Sequence, residues 1–278
     1  LRQSLRRRAG DRPPAIGKTL IAATARLLTC SVAALVLVAV AAHADDAVLL
    51  YHATWGGLPA AQIRVIAHTS ANAYRIEISI ASEGLPNLVT HFRATAIVDG
   101  RLTAGQPPLP ARFDANYDLR KRKDSKLRMT FVARGAAIVA ERGAEDTSRR
   151  KVLAEEFRRN VVDPLSALMA IQAAVRRGET AFTVPVYDGT RRFDTVGRVL
   201  PRDPREPGIH LAITLKALAG FKGETSNDGD PDDAPRPVSL TLSDDARLLP
   251  LAMSVPIWFL PLDVSLERVC DPSAPCKW

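Results

Sequence analysis

Beyond its first 44 residues the chain reads as a mainly β protein: a curved antiparallel sheet forming an open barrel or β-roll, with one packed helix near residues 164–177. Three observations carry this expectation. The dominant hydrophobic period is two, strand-like runs recur at roughly ten-residue spacing, and a single segment holds a full set of helix start and stop signals.

The alternation is plainest in Tyr74-Arg75-Ile76-Glu77-Ile78-Ser79-Ile80, where the isoleucines share one face and Arg75, Glu77 and Ser79 the other. Successive strand side chains point to opposite sides, so this is the pattern of an antiparallel strand with one face buried and one wet. Residues 48–55 and 62–68 behave the same way, with Gly56-Gly57-Leu58-Pro59 and Ser70-Ala71-Asn72 as turns. Further strands are expected over 90–98, 112–120, 126–134, 136–141, 181–187, 193–200, 209–218, 238–242, 250–255 and 263–269.

The helix begins at Asp163, whose carboxylate can accept from free N–H groups of the first turn, and Pro164 fits a first position where an N–H is not needed. Leu165, Leu168, Met169 and residues 172–175 recur at helical spacing; Arg176 and Arg177 suit the negative C-terminal end, and Gly178 supplies a left-handed stop. A helix from about Pro164 to Arg177 is expected against one side or mouth of the sheet. Residues 148–162 are ambiguous, with Glu155 and Arg159 as a favourable i,i+4 pair. Asp188-Gly189 between two strand-like runs reads as a hairpin turn.

The first 44 residues are of another kind. Seven basic residues precede or open an apolar run, Leu27 to Ala42, which ends in Ala42-His43-Ala44 and then Asp45-Asp46. A cationic leader, a short apolar core and small residues at the minus-three and minus-one positions, Ala42 and Ala44, are the pattern of a secretory signal. The expectation is a signal peptide over 1–44, cleaved near Ala44, and a single β-rich domain over 45–278 placed in the periplasm, with no stable membrane span after cleavage. The leader holds six of the chain's net +8, so residues 45–278 carry +2 and the high pI argues little for a nucleic-acid partner. Cys30 falls in the leader; Cys270 and Cys276 remain in a C-D-P-S-A-P-C tail, where an oxidising compartment permits a disulfide.

Chemistry-bearing motifs are sparse. The run Arg120-Lys121-Arg122-Lys123, continued by Lys126 and Arg128, reads as a solvated hairpin that discourages edge pairing, with phosphate of lipid head groups as the functional alternative. Asp228, Asp230, Asp232 and Asp233 resemble the opening of a calcium loop, but Asp233 stands where its glycine belongs and Ser239 where its glutamate belongs. The surrounding Gly223–Pro237 reads as an exposed acidic loop. His52, His68, His91 and His210 show no ligand spacing, and Ser166 lacks a nucleophile-elbow context. No metal, cofactor or catalytic residue is expected, and Asp163, Pro164, Gly178, Asp188 and Gly189 are assigned structural roles.

Tyr51-x-x-x-Trp55-Gly56-Gly57-Leu58, Asp163-Pro164-Leu165-Ser166-Ala167-Leu168, Tyr187-Asp188-Gly189 with Arg191, and Leu248-Leu249-Pro250 resemble, in that order, the landmarks of the exported bacterial family known as domain of unknown function 3108. The likeness spans nearly all of residues 45–278. Ala60-Ala61 and Trp258-Phe259-Leu260-Pro261 depart from it where the family tends to use glycine. The resemblance implies a Gram-negative periplasmic β-rich protein and supplies no catalytic residues.

A concave sheet with an aliphatic interior can enclose an apolar guest. The expected function is therefore non-enzymatic: binding a lipid or other hydrophobic or amphipathic envelope component, or aiding envelope assembly. The alternative is a hydrolase or metal-assisted enzyme, which requires at least two of His52, His91 and His210 to converge in one cleft. A third class, a structural or protein-interaction module, differs in having its interior filled by side chains.

Overall fold

The computed structural model describes residues 45–119, 122–143, 152–221, 235–257, 260–271 and 276. The signal-peptide reading, including Ala42 and Ala44, lies outside these residues, as do the Asp228–Asp233 cluster and the pair Arg120-Lys121.

Seven strands come first: β1 (Asp45–Trp55), β2 (Leu58–Thr69), β3 (Ala73–Ser82), β4 (Arg93–Arg101), β5 (Leu109–Leu119), β6 (Arg122–Arg134) and β7 (Ala137–Arg142). A short helix, α1 (Gly84–Thr90), joins β3 to β4. A 3-10 turn (Glu155–Arg158) and the long helix α2 (Pro164–Arg176) follow. Six more strands complete the chain: β8 (Ala181–Tyr187), β9 (Arg192–Val199), β10 (Ile209–Ala219), β11 (Arg236–Leu242), β12 (Pro250–Ile257) and β13 (Leu260–Cys270).

All thirteen strands form one antiparallel sheet in the order β7-β6-β5-β4-β3-β2-β1-β13-β12-β11-β10-β9-β8. Each half is a simple meander, and the pairing of β1 with β13 joins the two ends of the chain. The result is a nearly closed barrel. The register of β2 on β3 pairs Ile63 with Ile80, Val65 with Ile78 and Ala67 with Ile76, so apolar side chains stack along one face as the alternation requires.

The helix does not pack on an outer side or cap a mouth; it occupies the concave interior. Tyr74 of β3 is hydrogen-bonded to Ser166 of α2, and Gln172 of α2 donates to the Leu248 carbonyl between β11 and β12. Along the hydrogen-bonded sheet those strands are four to five steps apart, roughly 20 Å at about 4.8 Å per strand. The helix packs against the buried faces of both arcs. Ala167, Ala170, Ile171 and Ala174 join a buried cluster with Phe182, Val184, Val186, Leu211, Ile213, Leu240 and Leu242. Leu165 and Met169 pack instead against a second cluster that includes Tyr74, Val98, Phe113, Leu127 and Met129. The helix thus takes up part of the space between the two arcs, because a helix with apolar groups on two faces buries more surface between two arcs than on either one.

Two further differences concern helices. The chain has a further helix, α1, over residues 84–90, to which the sequence reading assigns no element, and the strand expected from Thr90 begins at Arg93. The helix was hidden because its N-terminal residue Glu83 makes no side-chain cap and Leu85 and Leu88 point to solvent, leaving no amphipathic stripe to read. Within the ambiguous segment 148–162, Glu155 and Arg159 do form an ion pair, but on a single 3-10 turn.

Candidate ligand-binding cleft at the barrel seam

Among the described residues β7 and β8, the two edges of the sheet, are not paired to each other. Residues 159–162 lie between them as a short latch. Arg159 bridges antiparallel to Val139 of β7, and Val162 bridges parallel to Val186 of β8. Asn160 supplies a reciprocal pair: its N–H donates to the Ile138 carbonyl at 2.7 Å and its Oδ1 accepts from the Ile138 N–H at 3.0 Å. The backbone there has φ +51, a left-handed conformation that asparagine tolerates better than most residues. On the other side the Val162 N–H donates to Pro185 and the Tyr187 N–H to Val162. Every sheet edge is a template for unwanted pairing, and the latch occupies both.

Helix α2 starts directly after the latch. Asp163 is its N-terminal cap: Oδ1 accepts from the backbone N–H of Leu165 and Ser166, and Oδ2 accepts from the Ser166 hydroxyl at 2.5 Å. Ser166 has therefore spent its proton, so the Tyr74 hydroxyl donates to Ser166 Oγ at 2.6 Å. Asp163 and Ser166 are both 0 % exposed. Burial raises the Asp163 pKa, against hydrogen bonds from Ser166 and Leu165 that lower it; burial likewise raises that of Tyr74. A serine sealed from solvent has no route to a substrate, and the three groups act as a structural relay from β3 to the helix. Gly100 makes room for it: a Cβ there would stand 2.3 Å from the Tyr74 ring.

A cleft of about 390 Å³ opens where α2, the latch, β8 and the β4–β5 loop meet. Ala170 and Ala174 of the helix and Phe182 and Val184 of β8 give it an apolar floor, Pro107 to Pro110 form one wall, and Asn160 to Val162 the other. Polar groups sit at its margin, among them Gln106, Thr183 and the ion pair Arg177–Glu179 with Nε and Oε1 2.7 Å apart. An apolar floor with few polar groups is the usual make-up of a small-molecule site, and the volume is at the lower end of the ~300–1,000 Å³ range.

The remaining singled-out residues are dispersed. Pro164 opens α2, and Gly178, with φ +78, follows its last turn. Asp188 and Gly189 lie in a four-residue connection from β8 to β9, longer than the two-residue turn their pairing suggests. Asp188 Oδ1 accepts from the N–H groups of Thr190 and Arg191, and its Oδ2 from Arg191 Nε. Gly189 has φ +91 and lies against Leu127 of β6, where a Cβ would approach to 2.6 Å. Cys270 and Cys276 are joined in a disulfide with Cα atoms 5.8 Å apart. His52 pairs with Glu83, His91 with Asn87, and His210 with Thr241, each through Nδ1. The partners of His52 and His91 both belong to the α1 segment, where the Asn87 N–H donates to the Glu83 carbonyl, whereas His210 stands with Thr241 on β10 and β11; the described residues hold no group of three or more His, Cys, Asp or Glu fit to bind a metal.

The cleft's own residues were missed from sequence because its walls come from four separate stretches. The available signals were the Pro107-Pro108-Leu109-Pro110 run and the small residues Ala170 and Ala174 on one helix face.

A thirteen-stranded antiparallel meander wrapped around an internal helix defines a barrel-like β protein. The chain belongs to the family described as protein of unknown function (DUF3108), whose model matches residues 50–261. A crystal structure from Brucella abortus, described as a beta-barrel-like protein of domain of unknown function DUF1849, is similar with a TM-score of 0.47 at 10% identity, over 81% of this chain and 96% of that one. No curated protein matches the chain.

Proposed function

We propose that this is an exported, non-enzymatic protein that binds an apolar or amphipathic component of the cell envelope in the seam cleft. The observation that carries this reading is the cleft itself, with an apolar floor in Phe182, Val184, Ala170 and Ala174 and a polar margin. Its size suits one acyl segment or a small apolar group rather than a whole lipid. The cationic leader and the small residues at Ala42 and Ala44 support export, as does a disulfide between Cys270 and Cys276.

The test uses native mass spectrometry of gently purified protein together with uptake of an apolar fluorescent probe. Co-purifying lipid, and probe uptake reduced at least tenfold by Thr183→Trp, are expected, since Thr183 lines the cleft yet is exposed and can be enlarged without entering the core. Absence of both lipid and uptake in the unaltered protein discards the proposal.

A further inference from the structure

We infer that the seam cleft takes an extended peptide, added as a short strand to the part of the β8 edge that the latch leaves open. The inference rests on the reading of the cleft as a ligand site and names the ligand's class. Two bonds at the ends of the β8–β9 pair fix where each backbone group points: the Val199 N–H donates to the Thr180 carbonyl, and the Asp188 N–H to the Arg191 carbonyl. With the register between them, Phe182, Val184 and Val186 bond across to β9, while Ala181, Thr183, Pro185 and Tyr187 turn their backbone to the seam. The latch agrees, since the Pro185 carbonyl and the Tyr187 N–H are the groups that meet Val162. Ala181 and Thr183 are exposed, and their N–H and C=O groups have no partner among the described residues.

The chain itself shows what this edge accepts. Val162 already pairs with it in parallel at the neighbouring positions. Asn160, two residues earlier, is drawn away to Ile138 of β7, so the ladder stops before Thr183. On β7 the same groups are taken: Asn160 holds the Ile138 N–H and carbonyl, and the Arg158 guanidinium donates to the Ala140 carbonyl. Across the cleft from Thr183 stand Pro107, Pro108 and Pro110, which have no N–H to offer. Free N–H and C=O groups at strand spacing are matched by another peptide backbone and by nothing in an acyl chain. A volume of about 390 Å³ holds a few residues of one chain and not the edge of a second folded copy. Side chains alternate along an added strand, so every second one points inward, onto Ala170 and Ala174 beside Phe182 and Val184. Those two alanines leave room there for a modest apolar group, which makes the ligand a segment with apolar residues at alternate positions.

The test uses the gently purified protein, the apolar fluorescent probe, and a capped pentapeptide of alternating valine and serine. The peptide is expected to displace the probe and to slow hydrogen exchange at the Thr183 amide about tenfold; its counterpart methylated on every backbone nitrogen should do neither. Thr183→Pro removes only a donor that faces the seam, a change an edge strand tolerates. It should weaken the peptide about tenfold while probe uptake and melting stay as in the unaltered protein. Uptake of the probe without displacement by the peptide overturns this inference and leaves the ligand site standing, whereas neither uptake nor peptide binding removes both. Equal displacement by the methylated peptide also overturns it, as does a Thr183 amide already protected in the free protein by a dimer seen in sedimentation velocity. If Thr183→Pro misfolds, the methylated peptide decides alone.

Discussion

The Tyr74 hydroxyl donates to Ser166 Oγ at 2.6 Å, joining a strand of the N-terminal meander to the first turn of the helix inside the barrel. Because the Ser166 hydroxyl donates its hydrogen bond to Asp163, the three side chains have one consistent arrangement of donors and acceptors. That arrangement fixes where the helix begins relative to β3.

Tyr74→Phe removes the donor and keeps the ring on Gly100. A net loss of about 1–2 kcal/mol is expected, seen as a fall of several degrees in the melting temperature with an unchanged far-ultraviolet spectrum. Gly100→Ala should cost more, about 1–3 kcal/mol, because a Cβ within 2.3 Å displaces the ring as well. Equal melting temperatures for Tyr74→Phe and the unaltered protein would show that the hydroxyl pair contributes nothing.

Burial raises the Asp163 pKa, and the sign of its pH dependence follows. Below the unfolded value of about 3.9 both states are protonated. As pH rises past it the unfolded chain releases its proton first, and the folded state loses relative stability until the buried carboxyl ionises too. Comparing urea midpoints of the unaltered protein and Asp163→Asn from pH ~4 to ~7 should therefore show the balance moving against the unaltered protein. Movement the other way would mean that the N–H donors of Leu165 and Ser166 outweigh burial.

Asn160 holds the latch to β7 through both its backbone and its side chain. Asn160→Gly keeps the left-handed backbone and loses the amide contact, costing about 1 kcal/mol; Asn160→Val loses both and should cost about 2–3 kcal/mol. Hydrogen exchange at the Ile138 amide is the local readout, since that N–H donates to Asn160 Oδ1. Protection unchanged in Asn160→Val would remove the latch from the account.

The Cys270–Cys276 bond closes a short loop after the last residue of β13, which pairs with Val48. Replacing both cysteines with serine should cost no more than about 2 kcal/mol on chain-entropy grounds, because a short loop loses little freedom on closure. Thermal melting checks the size, and exchange near Val48 checks that the loss stays local.

Most of the strands were legible one at a time. The run Tyr74 to Ile80 declares its two faces through alternation alone, and Asp163-Pro164 and Gly178 mark the helix ends, because such preferences act within a few residues. Alternation says which face of a strand is buried but not which strand lies beside it. The pairing of β1 with β13 and the use of residues 159–162 as a latch thus stayed out of reach.

What the sequence determined by itself is the strand-rich architecture, the helix and its caps, and the scarcity of catalytic spacing. Only the tertiary structure decided that the helix packs against both arcs of the barrel, that Tyr74 meets Ser166 across 92 positions, and that the cleft opens at the seam. The reason is range: periodicity and capping are settled within a turn or a pleat, whereas closure depends on how much apolar surface two distant arcs can jointly bury.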